Sequence, residues 1–333
     1  MNNNSPFRHN FIFVHGSADY YRIACSDLES RDDVRLIFEY GMDFLSLFQR
    51  KKLRIQKSST LDKFIDAPFS PRFQETFRNI KFKDNSKSLC FVINVGIITA
   101  RFGIHFLEYL HKEYPKAKFV GFYVDLIRTK RKVSYPQFVA KYFNLLISYD
   151  KTDCEKYKLT YYPTFFSRYN VSRDMNIPES DLYFCGAAKN RFLRILSIYK
   201  ECKSAGLKCD FYIAGLKKSK QVNESGLHYI ERMSYKENLK HAVKAKCLLE
   251  IIQQGACSST FRQWEAIRYN KAILTNNSEI IESVFYDPRY VCLLSNDDRV
   301  NTDFIKNYIP YENPLKEQIS PLKFLEFIET KIE

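Results

Sequence analysis

A carboxylate on an otherwise amphipathic helix is the first feature of this sequence that asks for a chemical explanation. From Ser258 to Asn270, Phe261, Trp264 and Ile267 recur at three-residue spacing, which predicts a helix with one apolar face and Arg262, Glu265 and Arg268 on another. Serine and threonine caps open it, an apolar strand from Lys246 to Ile252 precedes it, and a second strand at Ala272 to Leu274 follows. Ligands of such a strand–loop–helix–strand unit gather where the strand ends and the helix begins. Gln253 and Gln254 lie in that loop and could hydrogen-bond hydroxyls or base edges, with a solvated loop as the competing reading. A second chemical stretch is Phe184 to Arg191. Gly186 permits close backbone approach at a strand end, the helix starting near Arg191 offers unpaired N–H groups, and Lys189 and Arg191 add positive charge for an anion such as a diphosphate.

The elements that must hold these residues repeat one pattern. Phe11 to Val14, Val34 to Phe38, Leu89 to Val95, Phe119 to Val124 and Leu145 to Ser148 are short apolar runs bounded by polar punctuation, with a helix expected at Phe102 to Glu113. The stretch Tyr161 to Pro178 loosens into mixed polarity with two prolines and reads as a linker. A second alternation follows: strands at Asp181 to Cys185, Phe211 to Ala214, Tyr229 to Met233, Cys247 to Ile252, Ala272 to Leu274 and Val291 to Leu294, with helices at Phe192 to Ala205 and Lys236 to Lys244. Near-continuous apolar strands alternating with helices predict parallel sheets covered on both faces. The expected fold class is therefore α/β with two Rossmann-like doubly wound domains, 1–165 and 166–319, and a C-terminal helix over 320–333.

The run Trp264, Glu265, Ala266, Ile267, Asn270, Lys271, Ala272, Ile273, Leu274, Thr275, Asn276 and Asn277 resembles the donor-site segment of GT-B glycosyltransferases of bacterial capsule, exopolysaccharide and lipopolysaccharide clusters. Gln253, Gln254, Thr260, Arg262 and Glu265 match a polysaccharide-locus group with a Gln-rich loop, Thr-x-Arg and Glu-Ala. Tyr149-Asp150-Lys151-Thr152-Asp153 with Tyr157 also resembles that group, although Asp150 and Asp153 could equally cap a helix. The resemblance implies two domains facing a cleft, with the last helix crossing back onto the first. It implies a nucleotide-sugar donor with its ribose on Glu265 and its diphosphate beside Gly186, and transfer to a glycan or lipid-linked glycan without a cofactor or required metal. The common pattern carries another acid where this chain has Cys257, so its sugar-binding and stereochemical parts do not carry over. In such a reaction Lys189, Arg191 and Arg262 would stabilise charge on the leaving diphosphate. Arg262 has a competing use, an ion pair with Glu265 one helical turn away, worth a few tenths of a kcal/mol (~0.3) on an exposed face. A general base must be a histidine or carboxylate at a strand end of the first domain, which singles out His15 and Asp125 among His15, Ser17, Thr99, Arg101 and Asp125. Ordinary loop hydrogen bonding competes for each.

Composition narrows the classes. No stretch approaches the roughly 20 apolar residues of a membrane span and the polar start lacks a signal-peptide core, so a cytoplasmic protein is expected. Nine cysteines with no CxxC read as reduced structural thiols. Of the +14 net charge, ten lie up to Phe165, where 27 Lys+Arg face 17 Asp+Glu; beyond it the balance is 25 to 21. The densest clusters are Arg50 to Lys57 and Arg128 to Lys132. They suit docking on the anionic inner face of a membrane, or are solvated faces; nucleic acid is not expected, because its usual binding signatures are missing. The alternatives to a transferase are a non-catalytic nucleotide-sugar-binding protein of the same fold and a basic α/β nucleic-acid-binding protein.

Overall fold

The computed structural model describes residues 7–16, 18–38, 77–98, 101–127, 135–172, 174–252, 260–295 and 299–332. The clusters Arg50 to Lys57 and Arg128 to Lys132, and Ser17, Thr99, Gln253, Gln254 and Cys257, lie outside the described residues. The chain forms two compact units, one of Met1–Pro163 with Pro321–Glu333 and one of Thr164–Ser320.

The first unit is built on six parallel strands in the order β2-β1-β3-β4-β5-β6: β1 (His9–Val14), β2 (Val34–Ile37), β3 (Ser88–Asn94), β4 (Lys118–Tyr123), β5 (Leu145–Ser148) and β6 (Thr160–Tyr161). Phe11 pairs with Val34 on one side and with Cys90 on the other, so β1 is a central strand, buried along its whole length. Such burial suits its unbroken apolar run. Helices α1 (Asp19–Ala24), α2 (Arg101–Glu113), α3 (Pro136–Val139) and α4 (Lys151–Tyr157) fall between the strands. β6 runs into the first residue of the stretch expected to be a linker: two residues suffice to extend the sheet edge, and Tyr162 N–H continues the pairing to the Ser148 carbonyl. Asp150 caps α4 by accepting from Asp153 N–H, and the Asp153 carboxylate accepts from Ile127 N–H.

The second unit repeats the plan in the order β12-β11-β10-β7-β8-β9, again all parallel. Its strands are β7 (Ser180–Ala187), β8 (Cys209–Ala214), β9 (Leu227–Ile230), β10 (Ala245–Glu250), β11 (Ala272–Thr275) and β12 (Val291–Leu293), with helices α5 (Phe192–Ser204), α6 (Tyr235–Lys244), α7 (Phe261–Tyr269) and α8 (Thr302–Asn307). β9 starts earlier than the expected Tyr229. Gly226, at φ +94°, passes so close to the Cys209 carbonyl that a Cβ there would sit 2.3 Å from its oxygen, and pairing begins at Leu227 opposite Phe211. α7 is shorter than the expected Ser258 to Asn270, because Thr260 caps it and Asn270 ends it in the left-handed region at φ 55°.

The last helix, α9 (Pro321–Lys331), belongs to the first unit. Phe324 meets the rings of Phe13, Phe122 and Tyr162, and Glu329 accepts from His9 N–H at 3.0 Å and contacts His9 Nδ1 at 3.1 Å. An apolar face and a buried carboxylate thus anchor the chain end to β1.

Candidate functional site

In each sheet the strand order reverses at one place, and crevices outside the carboxyl ends of the two strands there are where α/β proteins hold ligands. In the second unit that place is between β7 and β10. Arg191, the residue before α5, spans it: its guanidinium donates to the Ala187 carbonyl at 2.8 Å and to the Ile251 carbonyl, the first just inside the end of β7 and the second just past β10. Burial depresses its pKa. Lys189 stands beside it, exposed, with a left-handed backbone at φ 42° that non-glycine residues seldom adopt. At Gly186 a Cβ would come within 3.0 Å of the Phe184 ring, which leaves little room for any larger residue.

Glu265 lies 1% exposed among polar groups of its own unit. One carboxylate oxygen pairs with Arg262; the other accepts from the Tyr235 hydroxyl at 2.5 Å and lies 3.5 Å from the Asn238 amide. Arg262 in turn donates to Asn238 Oδ1 at 3.3 Å and to the Cys185 carbonyl at 3.0 Å, next to Gly186. Burial, the largest single effect, works against the Arg262 charge, but Glu265 leads the neighbouring groups that together outweigh it, and the net shift of the guanidinium is upward. Burial, followed by the same carboxylate, raises the Tyr235 hydroxyl. The pair foreseen as a helical-face contact is therefore the centre of a buried network joining α6, α7 and the end of β7.

Thr260 is held by a residue that the sequence did not single out. Glu250, the last residue of β10 and 2% exposed, accepts from Thr260 N–H at 3.0 Å, from the Thr260 hydroxyl at 2.5 Å and from the Thr275 hydroxyl at 2.7 Å. Burial pushes its carboxyl up, against the three hydrogen bonds that pull it down. Its position, a carboxylate closing an apolar strand one loop before a capped helix, was the available signal. Tyr235 and Asn238 had none, since each sits on a different helix from Glu265.

In the first unit the reversal falls between β1 and β3, and His15 and Asn94 face each other across it. His15, 2% exposed, takes Gly16 N–H on Nδ1 at 2.9 Å, with the Asn94 amide nitrogen 3.1 Å from the same atom. Its ring lies 3.6 Å from that of Tyr21, and burial lowers its pKa from the usual value to about 3. Asp125, just past β4, is exposed, and its charge helps raise the hydroxyls of Tyr20 and Tyr21 behind the larger effect of burial. Arg101 is the first residue of α2. Among the described residues no group of three or more His, Cys, Asp or Glu side chains is placed to hold a metal ion, and no helix is long and apolar enough to cross a membrane. The described cysteines are free thiols.

No family model matches the chain, and no curated protein matches it. Solved structures do. One is an alpha-glucosyltransferase in complex with UDP and a 13-mer DNA containing a HMU base, 13% identical over 97% of this chain and 99% of that one, with a TM-score of 0.57. A putative UDP-N-acetylglucosamine 2-epimerase from Listeria monocytogenes is 10% identical over 96% and 95%, at 0.52. An alpha-glucosyltransferase in complex with UDP-glucose and DNA containing an abasic site is 12% identical over 97% and 93%, at 0.50. At such identities the likeness speaks to fold, and with the two six-stranded parallel sheets it shows that this chain has the GT-B fold of two Rossmann-like domains.

Proposed function

We propose that this chain is a glycosyltransferase that moves a sugar from a nucleotide-sugar donor to a glycan or lipid-linked glycan acceptor of a surface polysaccharide. The observation that carries the reading is the β7–β10 crevice of the second unit, where Arg191 crosses the two strand ends and the Arg262–Glu265 network closes on the Cys185 carbonyl beside Gly186. Gly186, Lys189 and the backbone N–H groups of the helix start after Arg191 hold the diphosphate, with the Arg191 guanidinium bracing the two strand ends, and Gln253, Thr260, Arg262 and Glu265 serve the nucleoside end. The Glu265 carboxylate meets a ribose hydroxyl by exchanging the Tyr235 hydroxyl for it, since both of its oxygens have partners inside the unit. His15 and Asp125 serve the acceptor in the first unit. Transfer forms a bond from an acceptor oxygen to the anomeric carbon and breaks the bond from that carbon to the diphosphate. Charge then builds on the leaving oxygen, where Lys189 and the helix start after Arg191 oppose it without a metal.

The test is a thermal-shift panel of UDP, GDP, CMP, dTDP and their sugars, joined to an assay of donor consumption. One nucleotide class should raise the melting temperature, and its sugar should be consumed when an acceptor extract is supplied. No stabilisation by any nucleotide removes the reading. Conversion of UDP-N-acetylglucosamine to its epimer without an acceptor would replace transfer by epimerisation.

A second reading concerns the acceptor. Two of the similar structures hold DNA, and ten of the fourteen excess positive charges of this chain lie up to Phe165. DNA-dependent donor consumption that falls steeply with salt would make nucleic acid the acceptor in place of a glycan.

A further inference from the structure

We propose that His15 acts as a fixed hydrogen-bond donor to an oxygen of the bound acceptor, presenting Nε2–H at the β1–β3 crevice, and does not take a proton there. The inference rests on the transferase reading for its ligand, but its first premise is a property of the free protein.

The hydrogen bonds around the ring fix its tautomer. Gly16 N–H can only donate, so Nδ1 of His15 must be the acceptor. Asn94 agrees: its Oδ1 already accepts from Gly96 N–H at 2.8 Å, which turns its NH2 group toward His15. With Nδ1 an acceptor, the proton of a neutral imidazole sits on Nε2. Charging the ring would put a second proton where two donors already converge, and burial opposes it further. The neighbouring titratable groups do not reverse this. Tyr20, Tyr21 and Asp19 of α1 and Asp125 after β4 are the ones at hand, and the two carboxylates act on the tyrosines, while burial accounts for the shift of His15.

The ring is also held in place. Tyr21 lies against it at 3.6 Å, Phe13 stacks at 6.1 Å and Phe122 meets it edge-on at 5.3 Å. Nε2 has no hydrogen-bond partner among the described residues, in a side chain that is 2% exposed. An N–H with no partner in the protein is available to a ligand at the reversal of strand order, where α/β sheets bind their ligands. A hydroxyl oxygen of the acceptor satisfies it. Nε2 already carries a proton and the Nδ1 lone pair is taken by Gly16 N–H and Asn94, so the proton released as the acceptor oxygen bonds the anomeric carbon goes to a carboxylate, with Asp125 the candidate on this rim, and His15 orients the acceptor.

Two measurements test this. Long-range proton–nitrogen spectra of histidine-labelled protein should show His15 as the Nε2–H tautomer, unchanged between about pH 5 and 8. The Nδ1–H tautomer, or a titration in that range, overturns the proposal whether or not a donor has been found. In the transfer assay, His15→Gln keeps an N–H near Nε2 but no basic nitrogen. It should retain turnover within about tenfold of the wild type, whereas His15→Leu should lose about a hundredfold or more. Equal inactivity of two folded variants overturns the proposal. Absence of any donor consumption by the wild type counts against the transferase reading, and the tautomer then decides the fate of His15 alone.

Discussion

Arg262 and Glu265, one turn apart on the same helix, form an ion pair in which the carboxylate is 1% exposed and the guanidinium also grips the carbonyl of Cys185 on the neighbouring strand. A surface pair at this spacing contributes little, whereas breaking a buried pair on one side leaves an uncompensated charge. Glu265→Ala should therefore cost about 3–5 kcal/mol in denaturant unfolding, and Glu265→Gln distinctly less. Loss of ligand binding in Glu265→Ala alone would confuse unfolding with loss of contact. Glu265→Gln, compared with Tyr235→Phe in the nucleotide thermal-shift panel, separates the two.

Glu250 ties β10 to both the start of α7 and the end of β11. Removing one of its donors leaves a buried carboxylate short of a partner. Thr275→Val should cost about 1–3 kcal/mol, measured by urea unfolding, although the side chains have the same shape. An unchanged midpoint would mean that Glu250 is held by something other than its threonines.

His15 predicts an acid limb. Its folded pKa, about 3, is below the unfolded value of 6.5, so the unfolded chain binds more protons in between. Stability from this group is fully present above about pH 6.5 and falls by up to about 1.4 kcal/mol per pH unit on the way down to about pH 3. His15→Gln should flatten that limb in a pH series of unfolding midpoints.

Gln263 on α7 is fully buried, and among the described residues neither its amide oxygen nor its amide nitrogen has a hydrogen-bond partner. An apolar side chain of similar volume removes two unsatisfied groups at once. Gln263→Leu or Gln263→Met should raise stability by about 1–3 kcal/mol in calorimetry; a loss would show that the amide holds a partner such as an ordered water.

Glu329 is the polar part of the attachment of α9 to β1, and Phe324 the apolar part. Phe324→Ala should cost about 3–5 kcal/mol, because it empties a ring-lined site under Phe13 and Phe122. Limited proteolysis should then cut the first unit before the second.

The sequence by itself determined the alternation of apolar strands and amphipathic helices, and hence two doubly wound parallel sheets, because apolar runs and three-residue spacing are local properties of the chain. It also located the strand ends where chemistry could occur, at His15, Gly186 and the loop before Thr260. Only the tertiary structure decided what those residues do with their hydrogen bonds. Asn94 stands 79 positions from His15 and Tyr235 stands 30 from Glu265, so neither the tautomer of the histidine nor the saturation of the carboxylate leaves a trace in local pattern. Arg191 shows the same limit. A fork of charge beside a glycine reads as an anion site, yet its guanidinium lies across two backbone carbonyls that come together only when β7 and β10 pair. Hydrogen bonding is directional and short-ranged, and its partners are chosen by the packing of strands and helices distant in sequence.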